Sequence, residues 1–344
     1  MSTSRNYTVV GGGAIGGTLA VHLAAAGHEV RIVDADVGHV QAINARGLTI
    51  ETPQGNLNQK IAASIPDEGP AVLGAVLLAV KSQATEAAMD WIAPRLAADG
   101  YVASMQNGLN EPAIAARIGA DRTVEAFVDL FADVTGPGVV KDGGAGTIAL
   151  GDYGGAGAAP ARGDEASERV RALAEDLWHW GEPIVTGNVR GFLWAKLAFG
   201  AMLTATALQD EDMSVLVDRH RDVMTRLARE VFAVAVTEGV QLEPFDAFEP
   251  ELYAEGADPA AHEASVSRLV EWLDGQAKKR SGIWRDLAVR RRPTEIPHQY
   301  GTVLDLAAER GIQTPVLARL VRLIQSLERG EAQMGPHLLD ELAA

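Results

Sequence analysis

The chain has 344 residues, 47% hydrophobic and 22% charged, which is comfortable for two ordinary globular domains. Its 46 acidic and 30 basic residues leave a formal net charge of −16, against a nucleic-acid partner, which needs a basic face for phosphates. It contains no cysteine, so disulfides, thiolate metal sites and a cysteine nucleophile are excluded.

A strand begins within about six residues of the N-terminus, leaving no room for a signal peptide of about 15–30 residues, and no apolar run reads as a bilayer span. The expected location is the cytoplasm, with no membrane partner. The opening strand, Tyr7-Thr8-Val9-Val10, breaks into Gly11-Gly12-Gly13-Ala14-Ile15-Gly16-Gly17. Glycines 11, 13 and 16 fit G-x-G-x-x-G. Leu19, Ala20, Leu23 and Ala24 then recur at helical spacing, and Glu29–Val33 reads as a second strand ending on Asp34. Strand, tight turn, helix, strand and acid form the pattern of a dinucleotide-binding βαβ unit. Gly11 suits the turn, Gly13 lets the backbone approach a pyrophosphate, and Gly16 lets helix and strand pack closely. Ala14 and Ile15 offer N–H groups at the helix start to the phosphates. Asp34 would accept from ribose hydroxyls and repel a 2′-phosphate, which favours NAD over NADP; Arg31 is the nearby basic residue that could reach a phosphate.

Next, Leu48–Glu51 and Lys60–Ile65 read as short strands across a turn at Gly55-Asn56. Val72–Val80 reads as a parallel strand buried on both faces. A helix is expected from Ala84 to Ala97 and a strand over Tyr101–Met105, and Gly136–Gly146 reads as a glycine-rich turn region. Thr147–Leu150 reads as a strand, Ala166–Trp180 as a helix and Pro183–Thr186 as a last strand. From Gly191 onward the pattern is helical: Phe192–Leu208, Ser214–Glu238, Ser265–Ala277, Tyr300–Glu309 and Val316–Leu327. The expected architecture is α/β, a doubly wound Rossmann domain over residues 1–187 followed by an all-α domain over 188–344. The Phe245–His262 segment reads as irregular, either a lid or a passive insertion.

Candidate chemistry falls at strand ends and in one helix. Lys81 follows the Val72–Val80 strand, and Gln106, Asn107 and Gly108 follow the next, so both face the cofactor crevice of a doubly wound sheet. Lys81 alone reads equally as a surface lysine. Trp194-Ala195-Lys196-Leu197 places one lysine in an otherwise apolar helix, where it either snorkels to solvent or serves as a proton donor. Glu295, between Pro293 and Pro297, reads either as a helix-start acid with Thr294 as cap or as a partner of Lys196 or of a substrate hydroxyl. The basic run of Lys278, Lys279, Arg280, Arg285, Arg290, Arg291 and Arg292 is either a solvated face or an attractor for an anion. The eight histidines show no metal-ligand spacing and read as structural or surface residues. No G-x-S-x-G elbow is present.

Gly11–Gly17, Val80-Lys81, Gln106-Asn107-Gly108-Leu109-Asn110-Glu111, Trp194-x-Lys196-Leu197 and Asp286…Arg292-Pro293-Thr294-Glu295-Ile296 occur in the order seen in the ketopantoate reductase family, which the chain resembles over nearly its whole length. The resemblance implies hydride transfer between a nicotinamide and a 2-oxo or 2-hydroxy acid, with Lys196 as general acid and, in reverse, base. It implies that Asn107 and Lys81 hold the nicotinamide side of the cofactor and the substrate oxygen, with Glu295 near Lys196 and the ribose. It further implies a small carboxylate or carbonyl substrate, and a homodimer is expected through the helical domain.

The sequence also departs from the family. Asparagines are usual four and eight residues after the lysine, where this chain has Gly200 and Thr204. The usual serine aligns with Gly282, beside Ser281 and near Trp284. One residue more stands between Asp286 and Glu295, the region 245–277 is longer, and Asp34 replaces a basic residue that reads NADPH. These departures suggest a larger or more aromatic substrate, with Gly200 and Gly282 making room, Trp284 lining the wall and the arginines attracting a carboxylate. True ketopantoate reductase, an opine- or imine-forming reductase and a non-catalytic nucleotide sensor are the alternatives.

Overall fold

The computed structural model describes residues 4–52, 55–142, 146–155, 166–276 and 278–344. It forms two compact units, Met1–Val189 and Arg190–Ala344.

The first unit runs β1 (Asn6–Val10), α1 (Ala14–Ala25), β2 (Glu29–Val33), α2 (Val37–Arg46), β3 (Leu48–Thr52), β4 (Gly55–Gln59), β5 (Ala62–Ser64), β6 (Leu73–Leu78), α3 (Thr85–Ile92), β7 (Leu96–Ser104), α4 (Glu111–Ile118), β8 (Thr123–Val128), β9 (Ala132–Gly136), β10 (Val139–Asp142), β11 (Ile148–Asp152), α5 (Glu168–Leu177) and β12 (Ile184–Val185). Eight strands form one sheet in the order β5-β2-β1-β6-β7-β8-β11-β12. All neighbours are parallel except β8 and β11. The chain winds outward from β1 in one direction and returns to wind outward from β6 in the other. The switch point between β1 and β6 is where such sheets open a ligand crevice at their carboxyl ends. A second sheet, β4-β3-β10-β9, joins the β3–β4 hairpin to the β9–β10 hairpin.

The pleat assigns β1's side chains to two cores. Tyr7 and Val9 pack with Leu19 and Leu23 of α1, Leu77 and Trp180, whereas Val10 packs with Val33, Val76, Leu78, Met89, Ile92 and Ile114. Helices therefore cover both faces, which explains why β6 reads as an apolar run rather than an alternating one. Beneath this sheet a buried polar cluster ties the start of the unit to α5. Asp176 accepts from Tyr7 Oη at 2.6 Å, pairs with Arg5, and lies 3.4 Å from His28 Nε2.

Several sequence expectations need correction. Gly55 and Asn56 lie within β4, opposite Thr52 and Glu51, and do not form the turn. The 60–65 segment supplies β5, which pairs in parallel with β2 instead of closing a hairpin with β3. The 136–146 region is largely the β9–β10 hairpin, with Gly138 at φ +73° in its turn; residues 143–145 lie outside the described residues.

The second unit is helical: α6 (Val189–Ala205), α7 (Met213–Arg219), α8 (Arg221–Thr237), α9 (Pro259–Gly275), a turn α10 (Gly282–Trp284) continuing as a π-helix over Arg285–Arg290, α11 (Ile296–Arg310), α12 (Pro315–Glu328) and α13 (Pro336–Ala343). The helix expected over 214–238 is broken at His220, and Ala277, the expected end of the next, lies outside the described residues. Against the sequence reading, the helical stretch Val189–Leu208 is long and apolar enough to cross a bilayer, at a mean hydropathy of 1.4; 83% of that window is buried inside the protein. It serves as this unit's core helix. The 245–262 segment is anchored on α6 through its aromatic residues. Phe245, Phe248 and Tyr253 are buried, and the rings of Phe245 and Phe248 stack against Phe199 of α6 at 5.9 and 5.4 Å.

Candidate active site

The glycine loop lies at the carboxyl end of β1. Gly11 has φ +96°, and a Cβ there would lie 2.8 Å from the backbone of Ala79 and Val80 beyond β6. A Cβ on Gly16 would sit 2.0 Å from the Gly11 carbonyl oxygen, so α1 can pack this closely only with glycine present. Gly13 differs: a Cβ there meets nothing within 4 Å, and no side chain caps the helix it begins. A side chain at 13 would fill the open space in front of the amides that start α1. This cradle fits the pyrophosphate of a dinucleotide.

The neighbouring side chains hold the loop still. Asp34 Oδ2 accepts from the Gly12 N–H at 2.7 Å and Oδ1 from the Asp36 N–H at 2.8 Å. His39, buried in α2, spans Gly12 and the second sheet. Its Nδ1 accepts from the Gly138 N–H at 3.0 Å, so Nε2 carries the hydrogen and donates to the Gly12 carbonyl at 2.8 Å. Both polar backbone groups of Gly12 are therefore fixed. Sequence reading placed the histidines among structural or surface residues and did not single out His39. Its partner Gly138 lies 99 positions away, and only the second sheet brings them together.

The other strand ends converge on the same edge. Gln106, buried after β7, donates through Nε2 to the Val80 carbonyl at 2.9 Å and to Thr85 Oγ1 at 2.8 Å, while its Oε1 is buried with no partner. The Asn107 carbonyl accepts from Ser82 Oγ at 2.8 Å and Asn110 Nδ2 at 2.9 Å. These bonds fix Asn107 beside the segment carrying Lys81 and leave its side chain exposed. The structure thus brings Gly11, Gly13, Ala14, Ile15, Gly16, Asp34, Lys81, Gln106 and Asn107 to one end of one sheet.

In the second unit, α6 is buried almost throughout, and Lys196, Gly200 and Leu203 form a half-exposed stripe at helical spacing. Tyr300, fully buried on α11, donates to the Leu197 carbonyl at 2.8 Å, one residue beyond Lys196. Thr204 Oγ1 donates to the Gly200 carbonyl at 2.7 Å. Burial pushes the Tyr300 phenol far up from its ordinary value, against a hydrogen bond with Thr204, and the nearby Glu295 carboxylate pushes it further. Tyr300 therefore stays protonated. Glu295 is the N-cap residue of α11 and caps it with no side-chain bond; the Thr294 hydroxyl accepts from the Ile296 N–H at 3.3 Å and donates to Glu328 at 2.6 Å.

Ser281 Oγ accepts from the Trp284 N–H at 3.2 Å, capping α10, a turn packed against Thr206–Leu208 at the end of α6. Gly282 is exposed, and the Trp284 indole N–H is buried with no partner. Four of the seven residues of the basic run are ion-paired within the unit. Arg280 holds Asp210 and Asp212 and lies over Trp284 at 5.6 Å, Arg290 and Arg292 hold the buried Asp286, and Lys279 reaches Asp274. Among the described residues no group of three or more histidines and carboxylates could hold a metal ion.

The family model described as ketopantoate reductase PanE/ApbA matches residues 7–155, and that for the C-terminal part of the same family matches 188–328. A 2-dehydropantoate 2-reductase of Mesorhizobium japonicum is 28% identical, over 94% of this chain and 98% of its own. Among solved structures, a PanE/ApbA family ketopantoate reductase from Ralstonia eutropha is 29% identical with a TM-score of 0.76, covering 95% of this chain and 99% of that one. A D-mandelate dehydrogenase, solved with NADH and anilino(oxo)acetate, shares the fold at 20% identity and a TM-score of 0.79, covering 94% and 98%. With a dinucleotide cradle in one unit, a lysine on the core helix of the other, and both family models matched in order, the chain belongs to the ketopantoate reductase family of nicotinamide-dependent oxidoreductases, which act on a CH–OH or C=O group.

Proposed function

We propose that this protein interconverts a 2-oxo acid and its 2-hydroxy acid with NAD as coenzyme, and that its substrate is bulkier or more aromatic than ketopantoate. The reading rests on Lys196, the single charged residue in Gly191–Leu208, held half-exposed on a helix that is otherwise buried. Its ammonium group gives a proton to the carbonyl oxygen as the carbon is reduced, and the resulting amine recovers a proton from water. In the oxidising direction the amine takes the hydroxyl proton. Asn107 and Lys81 orient the reacting carbonyl and the coenzyme's amide end, and Glu295 orients the lysine. Gly282, Ser281 and Trp284 surround the carboxylate end of the acid, with the Trp284 N–H as a donor for a carboxylate oxygen, while its substituent lies along α6 over Gly200, with Thr204 behind it.

The coenzyme, when bound, supplies or accepts the hydride. Asp34 favours NAD because its carboxylate is already fixed where the adenine ribose would lie, and Asp34–Gly38 carries two acids and no lysine or arginine. In this reading the first unit binds coenzyme, the second holds substrate and pairs with a second copy, and the enzyme works in the cytoplasm. Ketopantoate itself is the second reading, favoured by the 28% identity to a 2-dehydropantoate 2-reductase over nearly the whole chain. Initial rates of NADH and NADPH oxidation with ketopantoate and with phenylglyoxylate test both. Faster NADH-linked turnover of phenylglyoxylate is expected. Fast NADPH-linked turnover of ketopantoate alone refutes both the substrate and the coenzyme assignment.

A further inference from the structure

One turn beyond Lys196, α6 carries no side chain. The neighbour is on α11: a Cβ on Gly200 would come 3.0 Å from Tyr300 Oη, tighter than nine in ten real Cβ contacts. Any side chain at 200 therefore requires the phenol to give way by a few tenths of an ångström. Tyr300 cannot retreat freely, since it is 1% exposed and its hydroxyl is bonded to the Leu197 carbonyl at 2.8 Å. Thr204, a further turn along, donates its own proton to the Gly200 carbonyl at 2.7 Å and is 2% exposed. Each hydroxyl has one hydrogen, and both are taken up inside the protein, by the Leu197 and Gly200 carbonyls and the contact between the two hydroxyls. Along α6, the half-exposed stripe beyond Lys196 is thus bare helix at Gly200 followed by Leu203, neither of which has a side-chain proton donor.

We propose that Tyr300 is a specificity-determining residue, which keeps position 200 empty and its surroundings without donors so that the enzyme selects a 2-oxo acid with a flat, apolar substituent over one with a hydroxylated chain. This rests on the reading of Lys196 as the group at the reacting carbonyl. A substituent of that carbonyl extends along the helix over Gly200, about 6 Å further on at 1.5 Å per residue, which is the reach of an aryl ring. A hydroxyl brought to the same place leaves water and finds no donor, whereas a ring face loses nothing. Tyr300 itself touches neither substrate nor coenzyme in this scheme. It acts by position, through Gly200 and Leu197.

The test is the ratio of kcat/KM for phenylglyoxylate to that for ketopantoate, measured with the full chain and saturating NADH. Wild type is expected to favour the aryl acid by at least tenfold. Exchanging the occupants, Tyr300→Ala with Gly200→Asn, puts an amide where the phenol stood and is expected to lower the ratio by tenfold or more. Should that pair fail to fold, Tyr300→Phe with Gly200→Ala serves: removing the hydroxyl gives the new methyl room, and the raised floor lowers the ratio about fivefold or more. Gly200→Ala alone should melt lower than Tyr300→Phe with Gly200→Ala, a readout that needs no substrate. An unchanged ratio in the variants, or a wild type that prefers ketopantoate, overturns the role of Tyr300 and leaves the reductase reading standing. A wild type that turns over neither acid overturns both.

Discussion

His39→Ala is the most direct probe of how the coenzyme loop is held. The imidazole is 5% exposed and makes two neutral hydrogen bonds, accepting from the Gly138 N–H at 3.0 Å and donating to the Gly12 carbonyl at 2.8 Å. Each such bond contributes about 0.5–1.5 kcal/mol, and the two backbone groups left behind are shielded from water, so the variant should lose roughly 1–3 kcal/mol. For a unit of this size each kcal/mol moves Tm by about 2–4 °C, which gives an expected fall of roughly 2–12 °C. A merely structural cavity would do no more. Here the Gly12 carbonyl is also released, so the loop must be reordered each time coenzyme binds, and the Kd for NADH should rise about fivefold to thirtyfold, the equivalent of about 1–2 kcal/mol. His39→Gln, able to donate and accept through one amide, should recover part of both. Differential scanning fluorimetry and quenching of tryptophan emission by NADH measure the two effects separately. A variant with lowered Tm but NADH affinity within twofold of wild type would refute a role in the loop, and an unchanged Tm would refute the bridge itself.

Lys196→Ala should cut turnover by about 10²–10⁴-fold while the Kd for NADH stays within about twofold, in stopped-flow and binding assays; retained turnover removes Lys196 from the chemistry. Asp34→Ser should weaken NADH by about tenfold or more through loss of the charged bond to Gly12 and should narrow the gap to NADPH; equal wild-type affinity for the two coenzymes refutes the assignment. Glu249 is held below its ordinary carboxylate range, mainly by its hydrogen bond with Arg268 and also by the Ser265 hydroxyl at 3.0 Å. Its folded-state value lies below the unfolded one, so the stabilisation is complete above the ordinary value and lost as pH falls through the folded one. The Tm of wild type should therefore drop more steeply below about pH 4.5 than that of Glu249→Gln, by an amount kept modest because the pair is partly solvated.

What the sequence revealed was local. The β1–α1–β2 unit is legible because its motif-forming constraints, the positive φ of Gly11 and the approach of Gly16 to the Gly11 carbonyl, fall within a few residues of each other. Lys196 is legible for the same reason, as one charge in an apolar helix. The misreadings share a cause of the opposite kind. Gly55-Asn56 is a turn by composition, yet it pairs in β4, and Ala62–Ser64 pairs with β2 instead of returning to β3, because strand partners are chosen by the whole sheet. The break at His220 is invisible to periodicity, since both flanking helices carry the same kind of apolar stripe. Tyr300 reaches Leu197 across 103 positions and His39 reaches Gly138 across 99, distances at which spacing carries no information.

The two long-range contacts nevertheless explain features that looked like simple departures. A Cβ at Gly200 would crowd a phenol from α11 at 3.0 Å, so its lack of a side chain goes together with Tyr300 and is not a simple loss. Asp34 likewise does two jobs with one carboxylate. In the proposed NAD reading it presents the charge that excludes a 2′-phosphate, and through Oδ2 it fixes the Gly12 amide while His39 fixes the Gly12 carbonyl from the other side. On that reading coenzyme choice and loop shape are coupled. Replacing Asp34 by a basic residue removes the repulsion and the anchor together, so a switch to NADPH requires a second acceptor for the Gly12 N–H. An asparagine at 34, combined with a lysine or arginine at Ala35 or Val37, meets both demands, because its amide oxygen can still accept from Gly12 and the new charge stands on the exposed side of the turn.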